Sequence, residues 1–141
     1  VEDVRPTVAD PRERQHLSLA ALVAELADSL PAAGPAVRIS IDERRVPKAN
    51  LAHELRGLLS EAFRNAVQHA EATEIRVEGW VDYERGELTI ADNGKGYDPA
   101  SARDHRFGLQ GMSERAATIG AELQMLGVPG SGTRVFLRWG Q

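Results

Sequence analysis

The 141 residues are 42% hydrophobic and 27% charged, with a net charge of −4 and no cysteine. That balance suits one globular domain whose core needs no covalent staple, and it excludes disulfides, thiolate metal sites and a cysteine nucleophile. An acidic chain without a Lys/Arg run argues against a nucleic-acid surface, and no apolar stretch approaches the ~20 residues of a membrane span. No basic-then-apolar leader opens the chain. It begins with Val1, which suggests a piece of a longer protein.

Residues 1–14 are polar, carry Pro6 and Pro11 and show no period. They read as a linker or disordered N-terminal segment, leaving 15–141 as the domain. Leu19, Leu22, Val23, Leu26 and Leu30 recur at helical spacing, and Pro31 ends that helix. Val37–Asp42 alternates as a short strand. A longer helix over 49–70 follows, with Leu51, Leu55, Leu58, Leu59, Ala62 and Ala66 as its apolar stripe. Ile75, Val77 and Val81 alternate on the next strand, Glu84-Arg85-Gly86 turns, and Glu87–Asp92 returns. Asp92–Gly96 is a turn-rich break, and 97–107 reads as an irregular loop. A helix over 109–119 precedes strands at 122–126 and 132–139, which flank the loop Val128–Gly132. This order predicts an α/β fold, a two-layer sandwich with helices on one face of a mixed, mostly antiparallel sheet.

Several residues stand out for chemistry. Glu61, Asn65 and His69 are four apart and share a stripe of the long helix, bordering Ala62, Ala66 and Ala70. Asn65 offers a carbonyl oxygen suited to Mg2+, and Glu61 a carboxylate able to orient or deprotonate an acceptor. The plain alternative is a solvated helix face. Asp92 shares parity with Leu88 and Ile90, so it points inward if they do. An inward carboxylate needs a donor. The amino group of adenine would supply one, whereas guanine presents an oxygen there and would be repelled. Equally, Asp92 could simply cap the turn through Asn93 and Gly94. Thr133 shares parity with Val135 and Leu137, which makes a polar pocket common to the two strands more plausible than two coincidences. Its alternative is ordinary strand packing. In Phe107–Met112, glycines that open a helix would leave backbone N–H groups free for an anion. A simple loop-to-helix junction explains that stretch as well.

In this order, the pieces resemble the ATP-binding domain shared by gyrase, the heat-shock chaperone ATPases, sensor histidine kinases and mismatch-repair ATPases, the GHKL or Bergerat fold. EAFRNAVQHA looks like its N box, DNGKGYDP its first glycine box, FGLQGM its second and GSGTRVFL its last glycine-threonine element. The likeness runs from about Ser18 to Trp139. The finer resemblance is to sensor histidine kinases of the nitrate-sensor type. Glu61, Asn65, His69, Gly108, Gly111, Met112, Glu114, Arg115 and Gly120 fall on that group's pattern. The resemblance implies that Asn65 ligands Mg2+ and that Asp92 holds the adenine amino group of ATP. It implies that Gly94 and Gly96 shape the base pocket, with Thr133 beside it. Gly108 and Gly111, with Leu109 and Met112 in the same box, would meet the phosphates, and His69 would complete the N box. Residues 99–107, including His105, would form the lid over ATP or ADP.

The resemblance further implies transfer of the γ-phosphoryl group to a histidine in dimerisation helices, with relay to a response regulator. His16 lies in ERQHLSLA, which lacks the ELHD-type acceptor pattern. The chain is therefore expected to bind nucleotide without phosphorylating itself, Glu61 being its candidate base. The implied setting is cytoplasmic and monomeric, any membrane anchor lying elsewhere in a parent protein. His53 has no second histidine at zinc-protease spacing, and His53 and His105 read as solvated. Two rival readings are a protein-serine kinase that regulates a sigma factor, built on the same fold, and a module that binds ATP only to change shape.

Overall fold

The computed structural model describes residues 18–68, 71–96 and 105–140, apart from the side chains of 105–109. Residues 1–14, expected as a linker, His16, His69, Ala70 and the part of the expected lid up to residue 104 lie outside the described residues.

The first helix, α1 (Leu19–Asp28), begins where Ser18 Oγ accepts the Ala21 N–H at 3.0 Å. The Glu43 carboxylate accepts the Leu19 and Ala20 N–H groups at 2.5 and 3.3 Å, so a distant side chain shares the capping. The helix stops three residues before Pro31, where the Ser29 hydroxyl donates to the Leu26 carbonyl at 2.7 Å. Next come β1 (Ala36–Glu43) and the long α2 (Ala49–Gln68). Every residue of the expected α2 stripe is buried, and Ala52 and Phe63 join it. A hairpin of β2 (Glu74–Val81) and β3 (Gly86–Asp92) follows, then α3 (His105–Thr118), β4 (Glu122–Val128) and β5 (Gly132–Trp139). Gly86, expected in the turn, is the first residue of β3 and faces the buried Trp139, whose ring occupies the place of a side chain there.

The five strands run in the order β1-β2-β3-β5-β4. β1 and β2 pair in parallel, as two strands joined through a crossover helix can, and the other neighbours are antiparallel. One face carries Ile75, Val77, Leu88, Ile90, Val135 and Leu137 against the helices. The opposite face is polar, with Arg38 and Arg76 both on Glu74 and Arg138 on Glu87. The α/β sandwich expected from the sequence is therefore the fold. It places the C-terminal end of β3 beside the N-terminal end of β5, under the second half of α2.

Two further boundaries differ from expectation. α3 begins at His105 rather than near Leu109, so the Phe107–Met112 glycines lie inside it and His105 is helical rather than in a loop. Glycine costs a helix about 1 kcal/mol relative to alanine, which does not end a helix that Met112 and Ala116 anchor in the core. The loop between β4 and β5 is also shorter than expected, because Val128 and Gly132 pair as strand residues.

Candidate functional site

Strand parity builds the centre of the site. Leu88 and Ile90 are buried against the helices, and Asp92 at the end of β3 follows them inward. On β5, Val135 and Leu137 are buried and Thr133 continues their row. The antiparallel register sets Asp92 directly opposite Thr133. From above, α2 contributes Asn65 between the buried Ala62 and Ala66. Asn65, Asp92 and Thr133 thus line one cavity, walled by Ile75, Ile90, Met125 and Val135. Sequence reasoning had not picked out Met125. Its signal was the alternation of Leu123, Met125 and Gly127 along β4.

The chemistry of this cavity is unusual for a core edge. Burial pushes the Asp92 carboxyl above the usual carboxylate range, although N–H groups of Gly94 and Thr133 pull the other way. The Gly94 N–H donates to Oδ1 at 2.8 Å, so the turn-capping role is real and coexists with the inward one. Asn65 Nδ2 is buried without a hydrogen-bond partner. Such an orphan costs about 1–3 kcal/mol, and rotating the amide would present Oδ1 instead at no cost in shape. The cavity measures about 10 Å3, room for about one water, so a larger ligand must widen it.

Glycines hold the loop that follows Asp92. Gly96 has φ +71°, and a Cβ there would overlap the Val128 carbonyl oxygen. Gly132 has φ +95°, and its Cβ would overlap the Asp92 carbonyl oxygen. The Gly130 N–H donates to the Lys95 carbonyl at 2.5 Å, which fastens the β4–β5 turn to the same loop. Gly94 and Gly96 are both buried.

The remaining expected site residues lie elsewhere. Gly108 and Gly111 are the fourth and seventh residues of α3, not its opening, and nothing lies within 4 Å of a Cβ at Gly111. Met112 is fully buried in the core. Leu109 is helical, with its side chain outside the description. Glu61 opens onto a different cavity, of about 330 Å3, with His53, Ser60, Arg64 and Arg115. There Glu61 pairs with Arg64 at 3.1 Å, and Arg115 crosses Gly57 to reach Glu54 at 3.0 Å. Glu61 and Asn65 thus share a helix but not a cavity.

No grouping of three or more His, Asp or Glu side chains among the described residues could cage a metal. A single amide oxygen at Asn65 instead suits Mg2+, which commonly keeps its waters and takes one or two protein oxygens beside substrate phosphates. Asp92, Thr133 and the apolar walls suit a flat base bearing an amino group.

Residues 50–140 match the family model described as histidine kinase-, DNA gyrase B-, and HSP90-like ATPase. The sensor protein VraS of Staphylococcus saprophyticus is 36% identical over 95 residues, covering 67% of this chain and 27% of VraS. The VraS of Staphylococcus aureus gives the same figures, so the chain spans about a quarter of the length of these relatives. Among solved structures, the ATP-binding domain of PrrB from Mycobacterium tuberculosis has a TM-score of 0.63 at 24% identity, over 87% of this chain and 93% of that one. The histidine kinase domain of a blue-light activated kinase from Erythrobacter litoralis has a TM-score of 0.68 at 20% identity, over 87% and 61%. These two likenesses concern the fold.

Proposed function

We propose, from the premise that this chain belongs to the histidine kinase-, DNA gyrase B- and HSP90-like ATPase family, that it is the ATP-binding catalytic domain of a two-component sensor histidine kinase of the nitrate-sensor type. The observation that carries this reading is the shared cavity of Asn65, Asp92 and Thr133, with its orphaned amide. The matched curated relatives are sensor proteins, which supports this reading over a serine kinase that regulates a sigma factor.

In this reading Asp92 accepts the adenine amino group, Thr133 adds a hydroxyl, and Gly94 and Gly96 hold the loop that shapes the base pocket. Met125, unbranched and flexible, is the wall side chain best suited to yield as the cavity widens. Asn65 would give one oxygen to Mg2+, and His69 falls on the N-box pattern of the sequence. When bound, Mg2+ would supply neutralisation of phosphate charge, which phosphoryl transfer needs more than covalent help. Gly108, Leu109, Gly111 and Met112 belong to the helix that would face the phosphates. Because those glycines lie within α3, contact there would involve the first turn rather than Gly111. Glu61 serves as base for an acceptor histidine that approaches from the second cavity. The acceptor sits in dimerisation helices of the full-length protein, and a response regulator receives the phosphoryl group. This domain alone is monomeric and does not phosphorylate itself. Among the described residues no helix is long and apolar enough to cross a membrane, and a cytoplasmic setting is part of the proposal.

Calorimetric titration with Mg-ATP, Mg-ADP and Mg-GTP tests the reading. Adenine-selective binding that Asp92→Asn removes is the expected result. A folded chain that binds none of the three would overturn it.

A further inference from the structure

One residue of the turn after β3 makes more specific contacts than a turn requires. Asn93 follows Asp92 and is exposed, so its side chain looks free for water. Instead its Oδ1 accepts the Thr73 and Glu74 N–H groups, each at 2.9 Å, and its Nδ2 donates to Thr73 Oγ1 at 2.8 Å. Its own N–H donates to the Glu74 carbonyl at 3.2 Å.

The segment it grips is itself anchored to the cavity. The Ala72 N–H donates to the carbonyl of Ala66, a wall residue on α2, at 3.0 Å. The Thr73 carbonyl accepts the Ala36 N–H from β1, also at 3.0 Å. Hydrogen bonds on either side of the Ala72–Thr73 peptide link therefore connect the α2 wall to the residue adjoining Asp92.

We infer that Asn93 is a positioning residue that fixes the direction of the Asp92 carboxylate and so sets the base preference of the site. The inference rests on the adenine reading of Asp92. Telling an amino group from a carbonyl oxygen depends on an acceptor held in one direction. A carboxylate free to turn away would admit guanine through an intervening water. The Gly94 N–H restrains Asp92 from within its own turn. Asn93 ties that turn to the wall across the cavity. Since Asn93 is exposed, water replaces its bonds when the side chain is removed, and the fold loses little. Selectivity, which needs direction rather than mere pairing, is what falls.

The test is titration of this chain with Mg-ADP and Mg-GDP for wild type, Asn93→Ala, Asn93→Asp, Thr73→Val and Asp92→Asn, with thermal unfolding of each. Asn93→Ala lowers the ADP-over-GDP preference about tenfold, on the scale of one or two directed hydrogen bonds, with its unfolding midpoint little changed. Asn93→Asp keeps the preference within about twofold, because its two oxygens accept the same N–H groups and the Thr73 hydroxyl. Thr73→Val, which removes one of the three side-chain bonds, loses about threefold. A wild-type ratio in folded Asn93→Ala overturns the inference, as does an equal loss in Asn93→Ala and Asn93→Asp. Should Asn93→Ala not fold, an unchanged ratio in Thr73→Val overturns it. Absence of ADP binding by the wild type, or binding indifferent to Asp92→Asn, instead removes the adenine reading beneath it.

Discussion

The two cavities flanking α2 are built by opposite means. Around Asp92 the contacts are main-chain hydrogen bonds and close glycine approaches, which leave almost no rotamer freedom. Around Glu61 they are ion pairs between flexible, partly exposed side chains: Arg64 with Glu61, Arg115 with Glu54, and Arg56 with Glu25. Exposed pairs contribute about 0–1 kcal/mol each and are screened by salt. A base is recognised by fixed direction, whereas a surface that receives another helix or protein gains from side chains that can rearrange. The difference in construction matches the difference in proposed role.

The sharpest way to break the comparison is to disturb the rigid side. Gly132→Ala forces a Cβ toward the Asp92 carbonyl at a left-handed backbone position, and should cost about 2–4 kcal/mol of stability together with nucleotide binding. Denaturant midpoints and calorimetry read both. Wild-type binding in that variant would mean the glycine approach does not hold the site.

Asp92→Asn should lower adenine preference at least about tenfold, the scale of a lost charge-assisted bond, while raising stability. The Asp92 carboxyl is shifted up by burial, so the folded chain binds that proton more tightly than the unfolded chain does. Its charged form therefore costs stability above the folded pKa, and the cost disappears as pH falls through that pKa toward the unfolded value. The stability gap between Asp92→Asn and wild type should be widest near neutral pH and close on acidification, as thermal melts across pH would show.

Asn65→Leu removes the orphaned amide and should gain roughly 1 kcal/mol. The same variant should abolish the Mg2+ dependence of nucleotide affinity, which titration with and without the cation would reveal. Smallest of all is Gly57→Ala on the adaptable side. There the guanidinium of Arg115 must swing away, but the helix gains about 1 kcal/mol of propensity, so stability should change by less than about 1 kcal/mol. Adenine affinity should stay as it was; a large loss would show the two cavities to be coupled.

What could be read in the chain followed from local rules. The parity of Leu88, Ile90 and Asp92 and that of Thr133, Val135 and Leu137 predicted inward polar residues on two strands, and β3 and β5 place them opposite each other. The α2 stripe was equally legible, because burial of one helix face leaves a period of 3.6. Less visible was anything decided across the fold. α3 starts at His105 because tertiary packing of Met112 and Ala116 outweighs the glycines that read as a boundary. The grip of Asn93 on Thr73 spans 20 residues, and that of Arg115 on Glu54 spans 61. Neither leaves a periodic trace. The four-residue spacing of Glu61 and Asn65 correctly put them on one stripe, yet helical spacing does not say where one cavity ends and the next begins.

The turn between β4 and β5 carries a consequence for anyone reshaping this domain. Pro129-Gly130-Ser131 looks like the ordinary hairpin tip that tolerates a tag, a grafted loop or a relocated chain end. Here the Gly130 N–H holds Lys95, Val128 abuts Gly96, and Gly132 abuts Asp92. Lengthening the tip by a residue would unfasten the loop that follows Asp92, so its length is constrained by those contacts. The Glu84–Arg85 tip of the β2–β3 hairpin is tied down too, with Lys48 on Glu84 and Gly140 against Arg85, but it lies at the far end of β3 from Asp92.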